Sequence, residues 1–251
     1  MEKRSLPPGR FVDSGSTQSS YVEPVELAKR QLDVGTMVRD WDAAELFWRE
    51  EIGIEYEKFE KIGGGVRQHR FGANGTVVKV NHSRNQLAID PTIHRRLRIA
   101  SDGVDEPAIV HDPEGVAVEL VPRGFDDVTG VEIINATATS SEISRFWVDG
   151  VGAEEVGFNR FLVGDSLVRC IHIAETIAPT VRSAAGFRYL TVQVMDVDRE
   201  YARLLELGFT GERPPVSLGT TARISFVRDP DGGYLEVSQR AEFTGDSIPE
   251  E

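Results

Sequence analysis

Short runs in which apolar and polar residues alternate dominate the chain, and they predict a protein built mainly from β-strands. Helical spacing of apolar residues stands out in "VRDWDAAELFWREEIG" and again in "TATSSEISRFWVDGVG". Each segment carries a Phe-Trp pair, Phe47-Trp48 in the first and Phe146-Trp147 in the second. On an amphipathic helix these rings are predicted to pack against a sheet. The recurrence indicates an internal repeat.

Strand-like runs follow both helices. The runs "NGTVVKVNH" and "GDSLVRCIH" each start at a two-residue turn signal, which puts Lys79 and Arg169 at matching positions. Another strand follows in each copy, around "HRRLRIA" and "FRYLTVQV". The later copy continues into the helical pattern "DVDREYARLLELGF", where the earlier copy has only "SDGVDEPA". A unit of one strand, one helix and several strands therefore occurs four times, and its second occurrence lacks the helix.

Both copies also end alike, in "HDPEGVAVEL" and "RDPDGGYLEV". Each ending is an Asp-Pro turn followed by a short apolar strand that carries one glutamate, Glu119 or Glu236. With the paired helices, these endings make residues 31–240 resemble the vicinal oxygen chelate superfamily, which includes glyoxalase I, bleomycin resistance proteins and extradiol dioxygenases.

The resemblance implies an α+β fold in which four βαβββ-type modules pair into two curled-sheet domains. Residues 1–24 are predicted to be a flexible arm, and residues 25–123 a degenerate N-terminal glyoxalase-like domain. Residues 129–240 are predicted to be a C-terminal glyoxalase-like domain, and residues 241–251 an acidic tail. Whether each cleft forms within one copy, or by exchange of modules between copies, stays open.

Eight residues fall at the positions where members of this family hold a metal. The C-terminal copy is predicted to be catalytic, with Glu132, Arg169, Tyr189 and Glu236. The N-terminal copy is predicted to form a second cleft with a structural or binding role, with Asp33, Lys79, Arg96 and Glu119. Exchange would instead place Asp33 and Lys79 with Tyr189 and Glu236, and Arg96 and Glu119 with Glu132 and Arg169. Charge balance does not choose between the two arrangements.

The usual histidine ligands are absent from these positions, and each copy has a cation among them. A divalent ion about 4 Å from a fixed positive charge is repelled by roughly 8 kcal/mol at an effective dielectric constant near 20. No cofactor is therefore predicted. Were zinc, iron or manganese bound, Glu132 and Glu236 would be its ligands.

Composition narrows the range of partners. The net charge of −13 argues against nucleic acid, whose phosphates are bound by Lys and Arg. The chain has no apolar run of membrane-spanning length, and its first residues lack the apolar core of a signal peptide. With its single cysteine, this predicts a cytoplasmic protein, monomer or homodimer, that acts on a small molecule.

Three functions remain open. Paired carboxylates with a phenol and an arginine favour a metal-independent enzyme of the isomerase, epimerase or lyase type, acting on a carbonyl-containing or aromatic substrate. The alternative is a metal-free protein that binds or sequesters a small molecule, as the family's resistance proteins do. Extradiol ring cleavage ranks last, because it would need two histidines and a carboxylate around iron.

Overall fold

The structure is a computed structural model. It describes residues 25–174 and 177–248, together with the backbone of two short strands, β1 (Phe11–Val12) and β2 (Ser20–Tyr21), which pair antiparallel. Apart from these two strands, the predicted flexible arm of residues 1–24 lies outside the described residues, as do residues 249–251 of the predicted tail. No helix in the described ranges is long and apolar enough to cross a membrane.

Four strand modules follow one another along the chain. The first contains β3 (Asp33–Val38), β4 (Glu55–Lys61), β5 (Val66–Ala73) and β6 (Thr76–Ser83). The second contains β7 (His94–Ser101), β8 (Ala108–His111) and β9 (Ala117–Pro122). The third contains β10 (Val131–Thr137), β11 (Glu154–Gly157), β12 (Arg160–Val163) and β13 (Ser166–His172). The fourth contains β14 (Gly186–Gln193), β15 (Thr210–Leu218), β16 (Ala222–Arg228) and β17 (Tyr234–Arg240).

Helices occupy the places that the repeat predicts. In the first and third modules, α1 (Trp41–Leu46) and α2 (Ser140–Arg145) each run into a π-helical turn, Phe47–Glu51 and Phe146–Gly150. The fourth module contains α3 (Val197–Glu206), and α4 (Ala241–Thr244) follows it. The second module has no helix in its β7–β8 connection, as predicted.

The modules pair by exchange. An eight-stranded sheet has the order β15-β16-β17-β14-β3-β6-β5-β4 and so joins the first module to the fourth. A seven-stranded sheet has the order β11-β12-β13-β10-β7-β9-β8 and joins the third module to the second. The α+β fold with two curled sheets is thereby confirmed, and the arrangement that the sequence left open is the exchanged one. The boundaries of 25–123 and 129–240 stay a prediction about folding units.

One hydrophobic core serves both sheets. The Phe-Trp pairs of the two helices lie in it, and Trp48 and Trp147 are each only 1% exposed. Leu97 and Ile133 reach the same core from the smaller sheet, and Leu190 reaches it from the larger one. The opposite faces of the sheets are left for other uses, because alternate residues of a strand point to opposite sides.

Two matching turns set the position of the terminal glutamates. The Asp112 carboxylate accepts backbone hydrogen bonds from Glu114 and Val116 at 2.9 and 2.8 Å. In the later turn the Asp229 carboxylate accepts the corresponding bonds at 2.9 and 2.8 Å. Gly115 and Gly232 complete the turns at φ of 81° and 83°, a region that glycine enters without strain. Each turn therefore fixes where β9 or β17 starts, and with it the place of Glu119 or Glu236.

Candidate functional site

A cleft of about 1120 Å³ opens on the face of the larger sheet that points away from the core. Lys79 on β6, Tyr189 on β14 and Glu236 on β17 all line it. Strands of the first and fourth modules thus bring these three side chains together at the base of the cleft, which we call its floor. The size is suited to a small organic ligand, since such pockets usually measure about 300–1,000 Å³.

Lys79 is the central cation of the floor. It is 1% exposed and donates to the Thr191 hydroxyl at 2.8 Å. Its ammonium nitrogen lies 3.4 Å from both carboxylate oxygens of Glu236. The Thr191 hydroxyl in turn donates to Glu236 at 3.3 Å. The carboxylate therefore has a counter-ion and a hydroxyl donor, and both Lys79 and Glu236 are buried at the base of the cleft.

Asp33 lies at the same end of the sheet but does not line the cleft. It is fully buried and accepts from Lys29, from the Val77 backbone at 2.9 Å and from Gln193 at 3.0 Å. Burial alone would raise the pKa of its carboxyl, but Lys79, Lys29 and the Val77 N–H outweigh burial and hold that pKa below its ordinary value. Asp33 is thus an ionised partner whose negative charge favours the charged form of Lys79 from the same face of the sheet.

The Tyr189 ring lies across β3, and a glycine makes this possible. A Cβ added at Gly35 would be 2.1 Å from Cζ of Tyr189, so no larger residue fits beneath the ring. The Tyr189 hydroxyl accepts hydrogen bonds from Asn81 at 3.0 Å and from Gln68 at 3.5 Å. Burial, with the nearby charge of Glu236, raises the pKa of Tyr189 well above its usual range. The phenol consequently keeps its proton at neutral pH.

The smaller sheet has the same architecture but a filled cleft. Glu132 is fully buried at its centre, and three guanidinium groups surround its carboxylate. Arg160 and Arg169 donate to it at 2.9 and 3.0 Å, and Arg98 donates to its other oxygen. Arg98 also lies 3.2 Å from the terminal glutamate Glu119. These ion pairs occupy the space that is empty in the larger sheet.

The connection between the second and third modules covers this ion-pair network. Asp126, in the 3₁₀ turn Phe125–Asp127, reaches Arg98 at 2.9 Å and Arg169 at 2.5 Å. Arg96 completes the network through Glu119 at 2.8 Å. We call this set the closed cluster; it comprises Arg96, Arg98, Glu119, Asp126, Glu132, Arg160 and Arg169.

The two predicted sets of site residues are both divided by the exchange. The predicted catalytic set separates, because Glu132 and Arg169 lie in the smaller sheet, whereas Tyr189 and Glu236 lie in the larger one. The predicted second cleft separates likewise. Its members Asp33 and Lys79 belong to the larger sheet, and Arg96 and Glu119 belong to the smaller. The physical reason is strand pairing, since β3 pairs with β14 and β7 with β10.

Several site residues were missed by sequence reasoning. Arg98 could have been found, because it is two residues from Arg96 and so shares its face of β7. Asp126 and Arg160 gave no signal, because they approach Glu132 and its partners from a connection and from a neighbouring strand. Gly35 and Thr191 gave none either, since what matters there is a small side chain.

A divalent metal does not fit the open cleft. Where family members place ligands around an ion, Lys79 puts an ammonium group 3.4 Å from Glu236. Within residues 25–174 and 177–248, no three His, Cys, Asp or Glu side chains are grouped so as to hold a metal. The buried histidines are engaged elsewhere, with His69 stacked on Trp41 and His94 stacked on Phe187.

Comparisons with known proteins agree with this architecture. Glyoxalase I from Zea mays aligns with a TM-score of 0.69 at 13% identity, over 86% of this chain and 95% of its own. A putative dioxygenase from Bacillus subtilis aligns with a TM-score of 0.62 at 11% identity, over 87% and 86%. The cppA protein from Streptococcus pneumoniae aligns with a TM-score of 0.54 at 10% identity, over 85% and 98%. At such identities these likenesses concern the fold.

No curated protein sequence matches the chain. A family model does match it, over residues 31–237, and its description is "Glyoxalase/Bleomycin resistance protein/Dioxygenase superfamily". Together with the exchanged modules and the terminal glutamates, this match shows that the chain belongs to that superfamily.

Proposed function

We propose that the chain is a small-molecule enzyme that performs acid–base chemistry in the open cleft. One observation carries the proposal, namely the Glu236 carboxylate on the floor of a ligand-sized cleft, with Lys79 as its counter-ion at 3.4 Å. Superfamily membership is compatible with many chemistries, so the residues of this cleft, and not the fold, indicate the reaction.

Glu236 is the proposed base. Its carboxylate would take the proton from a carbon next to a substrate carbonyl, leaving an enolate whose negative charge lies on the carbonyl oxygen. Return of the proton to another position gives an isomer, and protonation of the same carbon on its opposite face gives an epimer. Expulsion of a leaving group from the enolate gives the product of a lyase. Lys79 and Thr191 hold the carboxylate in place throughout.

Tyr189 is the proposed donor to the enolate oxygen. Both hydrogen bonds that the described residues make to its hydroxyl are donated by amides, those of Asn81 and Gln68. The hydroxyl's own proton is therefore free for a ligand. A neutral phenol aimed at a developing oxyanion is the kind of fixed dipole that lowers such barriers.

The proposal uses no metal and no other cofactor. An ammonium group, Lys79, supplies the positive charge on the floor. Extradiol cleavage has no support from this cleft, because none of the described residues that line it is a histidine. Monomeric or dimeric state and a cytoplasmic location stay predictions.

A second candidate is a binding protein that changes nothing in its ligand. It is favoured by the mutual pairing of Lys79 and Glu236, which satisfies both charges without any substrate. Its signature would be thermal stabilisation by a ligand that is recovered unaltered.

The test is proton exchange with solvent. Candidate 2-oxo and 3-oxo carboxylates and aryl ketones are incubated with the protein in D₂O, and the loss of the α-proton is followed by NMR. Glu236→Gln should slow enzyme-dependent exchange by about 10²- to 10⁴-fold. The matched control is Glu119→Gln, which alters the corresponding glutamate of the closed cluster and should leave the rate unchanged. Equal rates in Glu236→Gln and the parent protein would refute the proposed base, and ligand binding without exchange would favour the binding protein.

A further inference from the structure

The charge of the open cleft is opposite to that of the chain. The protein carries a formal charge of −13, yet six basic and only two acidic residues line the cleft. The acidic ones are Glu60 and Glu236. An excess of positive charge concentrated in one concave site of an acidic protein attracts negatively charged ligands.

Half of the basic residues are already occupied. Lys79 pairs with Glu236 at 3.4 Å. Arg240 pairs with Glu60 at 2.8 Å, and Lys58 lies 3.2 Å from the same glutamate. In the part of the chain that the structure describes, the other three have no carboxylate within ion-pair distance, and they are Lys61, Arg182 and Arg213. Glu212, next to Arg213 in sequence, is engaged by Arg228 at 2.8 Å.

Arg182 and Arg213 flank a single aromatic residue. Arg213 on β15 is the register partner of Phe226 on β16, and both residues line the cleft. The Arg182 guanidinium lies 4.6 Å from the centroid of the Phe226 ring. We call these three residues the arginine–phenylalanine site.

The site is within reach of the proposed chemistry. Phe226 is also the register partner of Glu236, and its ring meets the Tyr189 ring edge to face at 5.9 Å. Adjacent strands are about 4.8 Å apart, so the backbones of Arg213 and Glu236 are separated by roughly 10 Å. A small molecule can span that interval, with one end at the guanidinium groups and the other at the carboxylate.

We propose that the arginine–phenylalanine site binds the anionic group, carboxylate or phosphate, of a substrate whose apolar body lies against Phe226. The reacting end then extends to Glu236 and Tyr189. This inference assigns a substrate class and rests on the proposed function for the role of those two residues. Guanidinium groups suit both anions, because their planar N–H donors form paired, charge-assisted hydrogen bonds with either.

The test is calorimetric titration with phenyl phosphate, benzoate and the neutral benzamide. Both anions should bind at least about tenfold more tightly than benzamide, and their affinity should fall as salt is raised. Arg182→Met and Arg213→Met should each weaken anion binding about fivefold or more, and leave benzamide unchanged. Arg67→Met is the control. Arg67 is also exposed and is part of the same sheet, but it does not line the cleft.

The outcomes separate this inference from the proposed function. Failure of the anions to bind, equal binding of benzamide, or anion binding that survives both arginine substitutions would overturn the arginine–phenylalanine site. Glu236→Gln should retain anion binding while it loses proton exchange. If it exchanges normally although the arginine variants lose binding, the anion site stands and the proposed base falls. Comparison of phenyl phosphate with benzoate tells which anion the site prefers.

Discussion

The two sheets are built from the same kind of module, yet one encloses a cleft and the other is closed by ion pairs. In each sheet, three residues that are paired in register form a row. The row begins at the terminal glutamate, continues on the first strand of the same module and ends on the first strand of the partner module. In the larger sheet the row is Glu236, Thr191 and Asp33. In the smaller sheet the row is Glu119, Arg98 and Glu132.

The middle residue of the row makes the difference. Thr191 is short, so the space above it stays open. Among the described residues, Lys79 on β6, two strands away from Thr191, is the one cation within ion-pair distance of Glu236. Arg98 is long and fills the corresponding space, while donating to two glutamates and to Asp126. Two sheets with the same arrangement of strands can therefore form either a ligand site or a structural cluster, depending on a few side chains.

The largest effect is expected from breaking the closed cluster. Glu132→Gln leaves three guanidinium groups without their shared buried carboxylate and should lower the free energy of unfolding by about 3–5 kcal/mol. Glu236→Gln should cost less, because it leaves a single cation that Asp33 still supports. Urea denaturation of both variants measures the contrast. A larger loss in Glu236→Gln would contradict the structural role of the closed cluster.

Acid sensitivity should come from a group that belongs to neither cleft. His94 on β7 stacks on Phe187 of β14 and bonds to Asn135 at 2.8 Å. Burial lowers its pKa to about 4, below the value near 6.5 of an unfolded chain. The unfolded state therefore binds more protons between these values, and the free energy of unfolding falls as pH drops from 6.5 to 4, by up to about 3 kcal/mol for this group.

His94→Gln should remove this contribution, which is measured as the difference between variant and parent in urea unfolding at pH 7 and pH 4.5. The difference is the relevant quantity, because burial raises the pKa of Asp112 to about 6 and that of Asp229 to about 7, and both act with the opposite sign. An unchanged pH slope in the variant would show that His94 is not the group responsible.

A methyl group beneath the tyrosine should damage only the open cleft. Gly35→Ala forces the Tyr189 ring to move, since the new Cβ would overlap it. The expected cost is about 1–3 kcal/mol of stability, together with weaker ligand binding. Crystallography of the variant would reveal the displaced ring, and an unmoved ring with unchanged phenyl phosphate affinity would contradict the tight contact.

The smallest effect is expected at Asp126, in the connection that covers the closed cluster. Asp126 has a φ of 51°, which asparagine tolerates, so Asp126→Asn removes the charge and spares the backbone. Its carboxylate is partly exposed, so the loss should be about 1 kcal/mol by thermal or urea unfolding. Asp127→Asn is the control, at φ 62° and with a side chain 90% exposed, and should cost less.

Much of the fold follows from repetition in the sequence. The Phe-Trp helices, the Asp-Pro turns and their glutamates identified the modules and the family. Each is a short sequence pattern that recurs in both copies and can be aligned between them. Strand exchange has no such pattern. Asp33 and Lys79 balance in charge with either partner module, so only the pairing of β3 with β14 decided which residues share a cleft.

The open cleft was also hard to predict because it depends on small residues. Gly35 and Thr191 matter for what they leave empty, and a sequence does not reveal an empty space until the strands are paired. Arg182 and Arg213 gave no pattern either, since their importance comes from sharing Phe226 as a neighbour.

The most direct test is the NMR spectrum of the arginine side-chain Nε–H groups during titration with phenyl phosphate. Our account predicts that the signals of Arg182 and Arg213 shift with the ligand, while those of Arg98, Arg160 and Arg169 stay in place. Shifts confined to the latter three would mean that the ligand enters the smaller sheet, and would contradict the assignment of the open cleft as the functional site.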